Sequence, residues 1–280
     1  MRDLAEARGW AIKRLCEIVE VERSAYYKWK NRKETQREKE NRELSSIILE
    51  YFEESKHVLG FRTMTLRVNK LNQARYNKKR IRRLMKLMGI ASCIRRKRKG
   101  FVKSTPQVTA ENVLNRRFEA SKPDEKWLSD VTEFQIEGSK VFVCGIKDLC
   151  DKRVVSYRVA LRNDNRLVFS TYDAAVSKYP DAKPLFHSDR GFQYTNRIFR
   201  RKLDQLGATQ SMSRVGRCID NGPMEGFWGT LKCEMKHLYP YHTKQELIHS
   251  IDQYMRFYNE QRLQEKLKGL TPMEYRAQAS

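Results

Sequence analysis

The residues best placed to do chemistry in this 280-residue chain are three acids. They are Asp130 in Trp127-Leu128-Ser129-Asp130, Asp189 in Phe186-His187-Ser188-Asp189, and Glu225 in Asn221-Gly222-Pro223-Met224-Glu225. Asp189 and Glu225 have 35 residues between them, and each acid sits in a local pattern that would present it at one edge of a mixed α/β sheet. A carboxylate trio of this kind can hold two divalent ions for in-line attack at a phosphodiester. Two magnesium or manganese ions about 3.5–4 Å apart need hard oxygen ligands, and carboxylates supply both the oxygens and the neutralising charge. One ion activates the attacking oxygen and the other stabilises the leaving one. Any single Asp is more often a turn residue or a helix cap, so the conjunction carries the reading. Asp148, Asp151 and Asp220 are nearby decoys, and Asp148, which follows the second expected strand, is the first substitute to test.

The elements that must position these acids follow from the apolar periodicity. Residues 126–136 and 140–149 read as antiparallel strands joined at Glu137-Gly138-Ser139, and residues 153–160 as a third strand. A helix over 165–178 leads to a short strand at 183–187 that ends at Asp189. A helix over 196–206, a strand over 209–212 and the helix carrying Glu225 follow. Three strands in a meander, then alternating helix and strand, is the order of a ribonuclease-H-like core with a mixed five-stranded sheet. The first acid then lies on the first strand, the second just after the fourth, and the third on a later helix.

The chain ahead of this core is helical and basic. Formal net charge is +23, and residues 1–120 hold 31 Lys and Arg against 14 Asp and Glu. Between Ser55 and Ala110 there are 17 basic residues and no acid. A solvated helical surface normally mixes signs, so the imbalance reads as the footprint of a polyanion partner. Residues 10–30 read as helix, turn, helix, with Ser24 as N-cap of the second, which fits a helix-turn-helix but also an ordinary helical hairpin. A charged helix over 36–54 and helices over 63–71 and 77–88 follow. The last puts Ile81, Leu84, Met85 and Met88 on one face and Lys78, Lys79, Arg82 and Arg83 on the other, which makes these four candidate DNA contacts. The run Arg95, Arg96, Lys97, Arg98 and Lys99 leads into a Ser/Thr/Pro-containing stretch. It reads as a flexible basic linker that tracks phosphates, or as a nuclear address in a host with a nucleus.

The expected domains are therefore a helix-turn-helix-like segment (1–40), a basic, helical, helix-turn-helix-like DNA-binding domain (41–100), a linker (101–120), the catalytic core (121–240) and a helical tail (241–280). No run of 18 or more apolar residues occurs and the first residues lack a secretory core, so an intracellular protein is expected. Six scattered cysteines, without CxxC or a Cys/His cluster, imply neither a zinc site nor a disulfide framework.

Three acid motifs carry a family resemblance. The stretch from Cys218 to Glu234, His187-Ser188-Asp189-Arg190-Gly191, and Trp127-Leu128-Ser129-Asp130-Val131-Thr132 resemble the acid motifs of transposases of the insertion-sequence-three family. The similarity is to the second-reading-frame protein, which carries a retroviral-integrase-like core. The tail from Tyr258 to Tyr275, the segment Ser24-Ala25-Tyr26-Tyr27-Lys28-Trp29 and Gly60-Phe61-Arg62 are also similar to that family, so nearly the whole chain is covered. The resemblance implies that Asp130, Asp189 and Glu225 form the catalytic, metal-holding triad. It also implies that Lys232, seven residues and about 10 Å of helix beyond Glu225, grips DNA near the scissile bond; the plain alternative is a solvated lysine. Two departures stand out, Gln264 where the family usually has His and Gly222 where it usually has Ala. The zinc domain of retroviral integrases is absent, and the helical arm takes its place.

The implied activity is metal-dependent DNA strand cleavage and strand transfer at the ends of an insertion sequence, through a circular intermediate that later integrates. A nuclease that cuts without joining, and a DNA-binding regulator of transposition, are the alternatives. The implied partners are terminal inverted repeats, target DNA, further copies of the chain on DNA, and an upstream reading-frame protein or fusion segment. A bacterial cytoplasmic, nucleoid-associated protein is expected.

Overall fold

The computed structural model describes residues 11–94, 112–214 and 218–279. Two compact units divide at Ile47/Ile48. In the first, helices α1 (Ile12–Ile18) and α2 (Arg23–Lys30) bury Leu15, Cys16 and Tyr26. The expected cap at Ser24 is not formed: α2 begins at Arg23 with Glu22 as N-cap, so Ser24 lies inside the first turn. Helix α3 (Gln36–Glu54) runs across the division between the units, so the expected boundary near residue 40 falls within one continuous helix.

The second unit opens with α4 (Phe61–Leu71) and α5 (Lys78–Leu87), packed on one another through buried Met64, Val68, Ile81, Leu84 and Met85. Asn77 caps α5 by accepting from the Lys79 N–H at 2.8 Å. This pair is seated on the C-terminal part of the chain: Lys56 Nζ donates to the Leu238 carbonyl at 2.8 Å, and Lys70 pairs with Glu274 at 2.6 Å.

Five strands follow: β1 (Lys126–Ile136), β2 (Ser139–Asp148), β3 (Val154–Ala160), β4 (Leu185–Ser188) and β5 (Thr209–Met212). Their order is β3-β2-β1-β4-β5, with the first three antiparallel and β4 and β5 parallel to β1. Glu137 and Gly138, both at positive φ (49° and 69°), make the two-residue hairpin between β1 and β2 whose twist matches the strands. Side chains alternate across the sheet with the period of a strand. Leu128, Phe134, Val141 and Val143 pack under α8 (Gly222–Leu238) and α9 (Lys244–Glu260). Trp127, Cys144 and Ile146 pack under α6 (Asn165–Lys178) and α7 (Arg197–Leu206) on the other face. The result is the three-layered, ribonuclease-H-like core with a mixed sheet.

The end of the expected linker belongs to this core. Leu114 is buried and its N–H donates to Ser211 Oγ at 3.0 Å, while Arg116 Nε donates to Asp220 at 2.7 Å. The tail does too, since α9 supplies Leu247, Ile251, Tyr254, Met255 and Tyr258 to the core and α10 (Pro272–Ala279) sends Arg276 to Asp124 and Asp151. Among the described residues no helix is long and apolar enough to cross a membrane.

Candidate active site

Register brings the first two acids together. β1 and β4 run parallel with Leu128 opposite His187, so Asp130 and Asp189, each two residues further on, end up side by side at the carboxyl end of β4. Asp130 shares the face of Leu128, the face covered by α8. The third acid arrives through the start of that helix. Asn221 leaves its capping role unfilled and instead donates its side-chain amide to the Ser129 carbonyl at 3.2 Å, tying the first turn of α8 to β1 one residue before Asp130. Pro223 fixes the entry, and Glu225 lies in the first turn, where the helix dipole favours a carboxylate.

Trp228, one turn beyond Glu225, sets the depth of the helix on the sheet. Its ring lies over Gly145, the β2 residue opposite Asp130, and a Cβ there would come within 2.9 Å of the indole. Gly145→Ala should therefore cost about 1–3 kcal/mol of stability through overpacking, and should lower DNA cleavage by moving α8 relative to β1. Urea unfolding and a cleavage assay on the same preparation check both effects. The backbone beneath Asp130 is fixed from the other face by Ser129, whose hydroxyl bonds Tyr194 Oη at 2.8 Å.

Electrostatics mark the three acids as one system. Burial, then the Asp189 charge, then the more distant Glu225 charge push Asp130 up to about 7, against the pull of the Val131 N–H and the Trp228 indole. Trp228 Nε1 is buried and forms no hydrogen bond of ordinary geometry, so its effect on Asp130 is that of a nearby dipole. Asp189 presents surface to solvent, yet the protein packed around it still raises it above the usual carboxylate range, opposed by the Gly191 N–H at 2.9 Å. Among the described residues no three Asp, Glu, His or Cys side chains already stand as a metal-holding cluster. Asp130 feels the negative charges of both Asp189 and Glu225, and carboxylate oxygens are the donor type that suits a hard divalent cation.

A folded-state value near 7 against about 3.9 unfolded has a defined sign. The folded state holds a proton that the unfolded chain releases, so this group's contribution is present below about pH 4 and is lost as pH rises to 7. Without metal, Asp130→Asn should stabilise the protein at pH 8 by about 1–3 kcal/mol and change it little at pH 4. Urea midpoints at the two pH values measure this.

The decoys have structural work. Asp148 is fully buried and accepts from the N–H groups of Asp124, Cys150 and Asp151, closing the turn after β2. It pairs with Trp127 at the start of β1, so it does not share the edge of Asp130. Asp151 takes Arg153 and Arg276, and Asp220 takes Arg214, Arg116 and Asn112, which hold its carboxyl well below the usual range. His187, although only two residues before Asp189, lies between Ser211 and Ser213, and burial lowers it to about 4, so its ring is neutral.

Of the candidate DNA contacts, Lys78, Lys79, Arg82 and Arg83 are exposed on α5; Lys78 reaches Glu265 at 3.7 Å and Arg82 lies over the Phe61 ring at 5.3 Å. Lys232 lies on α8 in line with Glu225, half-buried, its ammonium 5.2 Å from the Phe134 ring centre. Arg95, Arg96, Lys97, Arg98 and Lys99 lie outside the described residues. Sequence reading gives no positioning role to Trp228, Gly145, Asn221 or Tyr194. The helical spacing of Trp228 from Glu225 was the one available signal. Gly222, where the family motif usually has Ala, has no atom within 4 Å of an added Cβ, so the departure leaves the helix start unchanged.

Known proteins share this arrangement. The integrase core domain family matches residues 120–218, a second integrase core family matches 225–279, and an HTH-like domain family matches 38–99. InsK of insertion sequence element IS150 from Escherichia coli is 35% identical over 99% of this chain and 98% of its own length. The transposase InsF of insertion sequence IS3A, also from Escherichia coli, is 24% identical over 95% of this chain and 94% of its own. Among solved structures, the simian T-cell lymphotropic virus intasome in complex with PP2A regulatory subunit B56 gamma matches with a TM-score of 0.50. That match has 12% identity and covers 76% of this chain and 74% of that one, which bears on the fold alone. With a helix-turn-helix-like segment ahead of an integrase core and full-length relatives among insertion elements, the chain belongs to the DNA transposases of the insertion-sequence-three family.

Proposed function

We propose that Asp130, Asp189 and Glu225 are the metal-holding acids of a DDE-type polynucleotidyl transferase that cleaves and joins DNA at the ends of its own element. The observation that supports this reading is the β1/β4 register, in which Leu128 lies opposite His187, with Asp130 and Asp189 each two residues further on, together with Glu225 in the first turn of α8. Bound magnesium or manganese ions, two by the chemistry of in-line displacement, would neutralise the charge that develops on the attacking and leaving oxygens. The chain's part is to hold the acids still. Asn221 and Trp228 fix α8 against β1, and Gly191 orients the Asp189 carboxylate. The proton that Asp130 retains near neutrality must leave before it can ligate, so cation affinity rises with pH through about 7.

The exposed basic face of α5, with Lys232 nearer the acids, supplies phosphate contacts. The proposed substrates are the element's terminal inverted repeats and a target duplex. Joining two ends needs two active sites, so further copies of the chain, with an upstream reading-frame segment where one is fused, are the proposed partners. The test is incubation of a labelled duplex copied from the DNA flanking the gene with magnesium, manganese or zinc. Cleavage followed by a joined product with the first two ions, and none with zinc, is expected. Cleavage without joining would mean a nuclease, and binding without nicking a regulator.

A further inference from the structure

A groove of about 470 Å³ runs along α8 beyond the acids, walled by Phe134 of β1, by Lys232, Lys236 and His237 of α8, by Tyr241, and by Cys93 from the chain after α5. Glu133 also lines it, but its carboxylate pairs with Lys140 at 3.0 Å. Glu225, Lys232 and Lys236 stand at i, i+7 and i+11 on the helix, within about 20° of one line at 3.6 residues per turn. The stripe therefore starts at an acid of the proposed site and continues as two cations. Lys232 and Lys236 are about 6 Å apart along the axis, the order of the spacing between neighbouring phosphates of one strand. Among the described residues neither makes an ion pair within 4 Å, and Lys236 is exposed.

Helix packing explains why this stripe stays open. The adjacent face buries Met224, Phe227, Trp228, Leu231 and Met235 in the core, so Lys232 and Lys236 flank the buried face. Lys232 is partly desolvated, which lowers it, while the charges of Glu133 and Asp130 oppose that effect. A partly desolvated cation binds an anion more strongly than one fully in water. Lys56, just ahead of α4, donates to the Leu238 carbonyl and so ties the α4/α5 pair to the end of α8.

We propose that this groove is a track for the DNA strand leading away from the scissile phosphate, with Lys232 and Lys236 on successive phosphates and Phe134 and Tyr241 against the sugars and bases. The track rests on the active-site reading for its direction, but binding in it does not require chemistry. It links recognition to cleavage: the strand that leaves the acids is delivered along α8 to the basic α4/α5 pair.

Two native thiols make it testable, since exposed Cys93 and half-buried Cys233 both line the groove. The probes are duplexes copied from the DNA flanking the gene, each with a disulfide-activated thiol tether on one backbone phosphate, stepped from the cleaved end inward. In disulfide exchange the cysteine thiolate attacks the activated tether sulfur, a protein–DNA disulfide forms, and the activating thiol leaves with the electron pair. Cross-linking should peak over two or three consecutive phosphates near the end and vanish in Cys93→Ser/Cys233→Ser. Lys236→Ala should weaken DNA binding in a gel shift and lower the slope of log affinity against log salt by about one. Uniform or absent cross-linking, or an unchanged slope, overturns the track. Cleavage measured in parallel with manganese reports separately on the acids: cross-linking without cleavage keeps the track and rejects the triad, and cleavage without cross-linking does the reverse.

Discussion

Asp130→Asn, Asp189→Asn and Glu225→Gln should each lower DNA cleavage and joining by at least about 10³-fold while leaving DNA binding in place. The magnitude follows from the role: a removed carboxylate takes away both an oxygen donor and the charge that holds a divalent ion, and the ions carry most of the stabilisation of developing charge in phosphoryl transfer. Binding should persist because the cationic surface lies on α5 and along the far half of α8, not on the acids. Cleavage and gel shift on one labelled end, with each variant, separate the two. A variant that keeps near-normal turnover identifies a misassigned acid. Asp148 is a poor replacement, because its carboxylate is filled by three backbone N–H groups at the other end of β1.

Salt should change DNA affinity nearly as much. With about six phosphates neutralised, raising the salt from 50 to 200 mM lowers affinity by about 10³-fold, because each neutralised phosphate releases counterions. The cations are expected from the stretch that has 17 basic residues and no acid between Ser55 and Ala110, whose described part includes Lys78, Lys79, Arg82 and Arg83 in the open on α5. Replacing these four by Ala should flatten the slope by about one for each phosphate left without its cation. A shallow slope in the parent chain, or one indifferent to the four substitutions, would return α5 to an ordinary solvated face. Lys78 should contribute least of the four, since Glu265 already lies 3.7 Å away.

Much of the core could be read along the chain. Lys126–Ile136 alternates between the two faces as a central strand must, Glu137-Gly138 is a two-residue hairpin signal, and Asn165–Lys178 and Thr209–Met212 form where the apolar spacing places them. Local chemistry decides such elements. It misled at Ser24, because a residue caps a helix only when its own backbone is non-helical, and Ser24 lies inside a helix that begins at Arg23. It was also silent on residues 112–118, whose polar look hides Leu114 and an arginine bound for Asp220.

The sequence by itself determined which residues offer carboxylate oxygens and which stretches are cationic, because charge and donor type belong to the residue. It could not say which acids would meet, since Asp148, Asp151 and Asp220 have the same carboxylate as Asp130 and Asp189. Only the tertiary structure decided that. Parallel pairing of Leu128 with His187 carries two acids to one edge, while backbone N–H groups and arginines claim the other three. A carboxylate whose lone pairs are already filled has nothing left to offer an ion. The pairing between distant strands that sets Asp130 beside Asp189, with no arginine among the described residues claiming either, is a property of the packed sheet, not of any segment of chain.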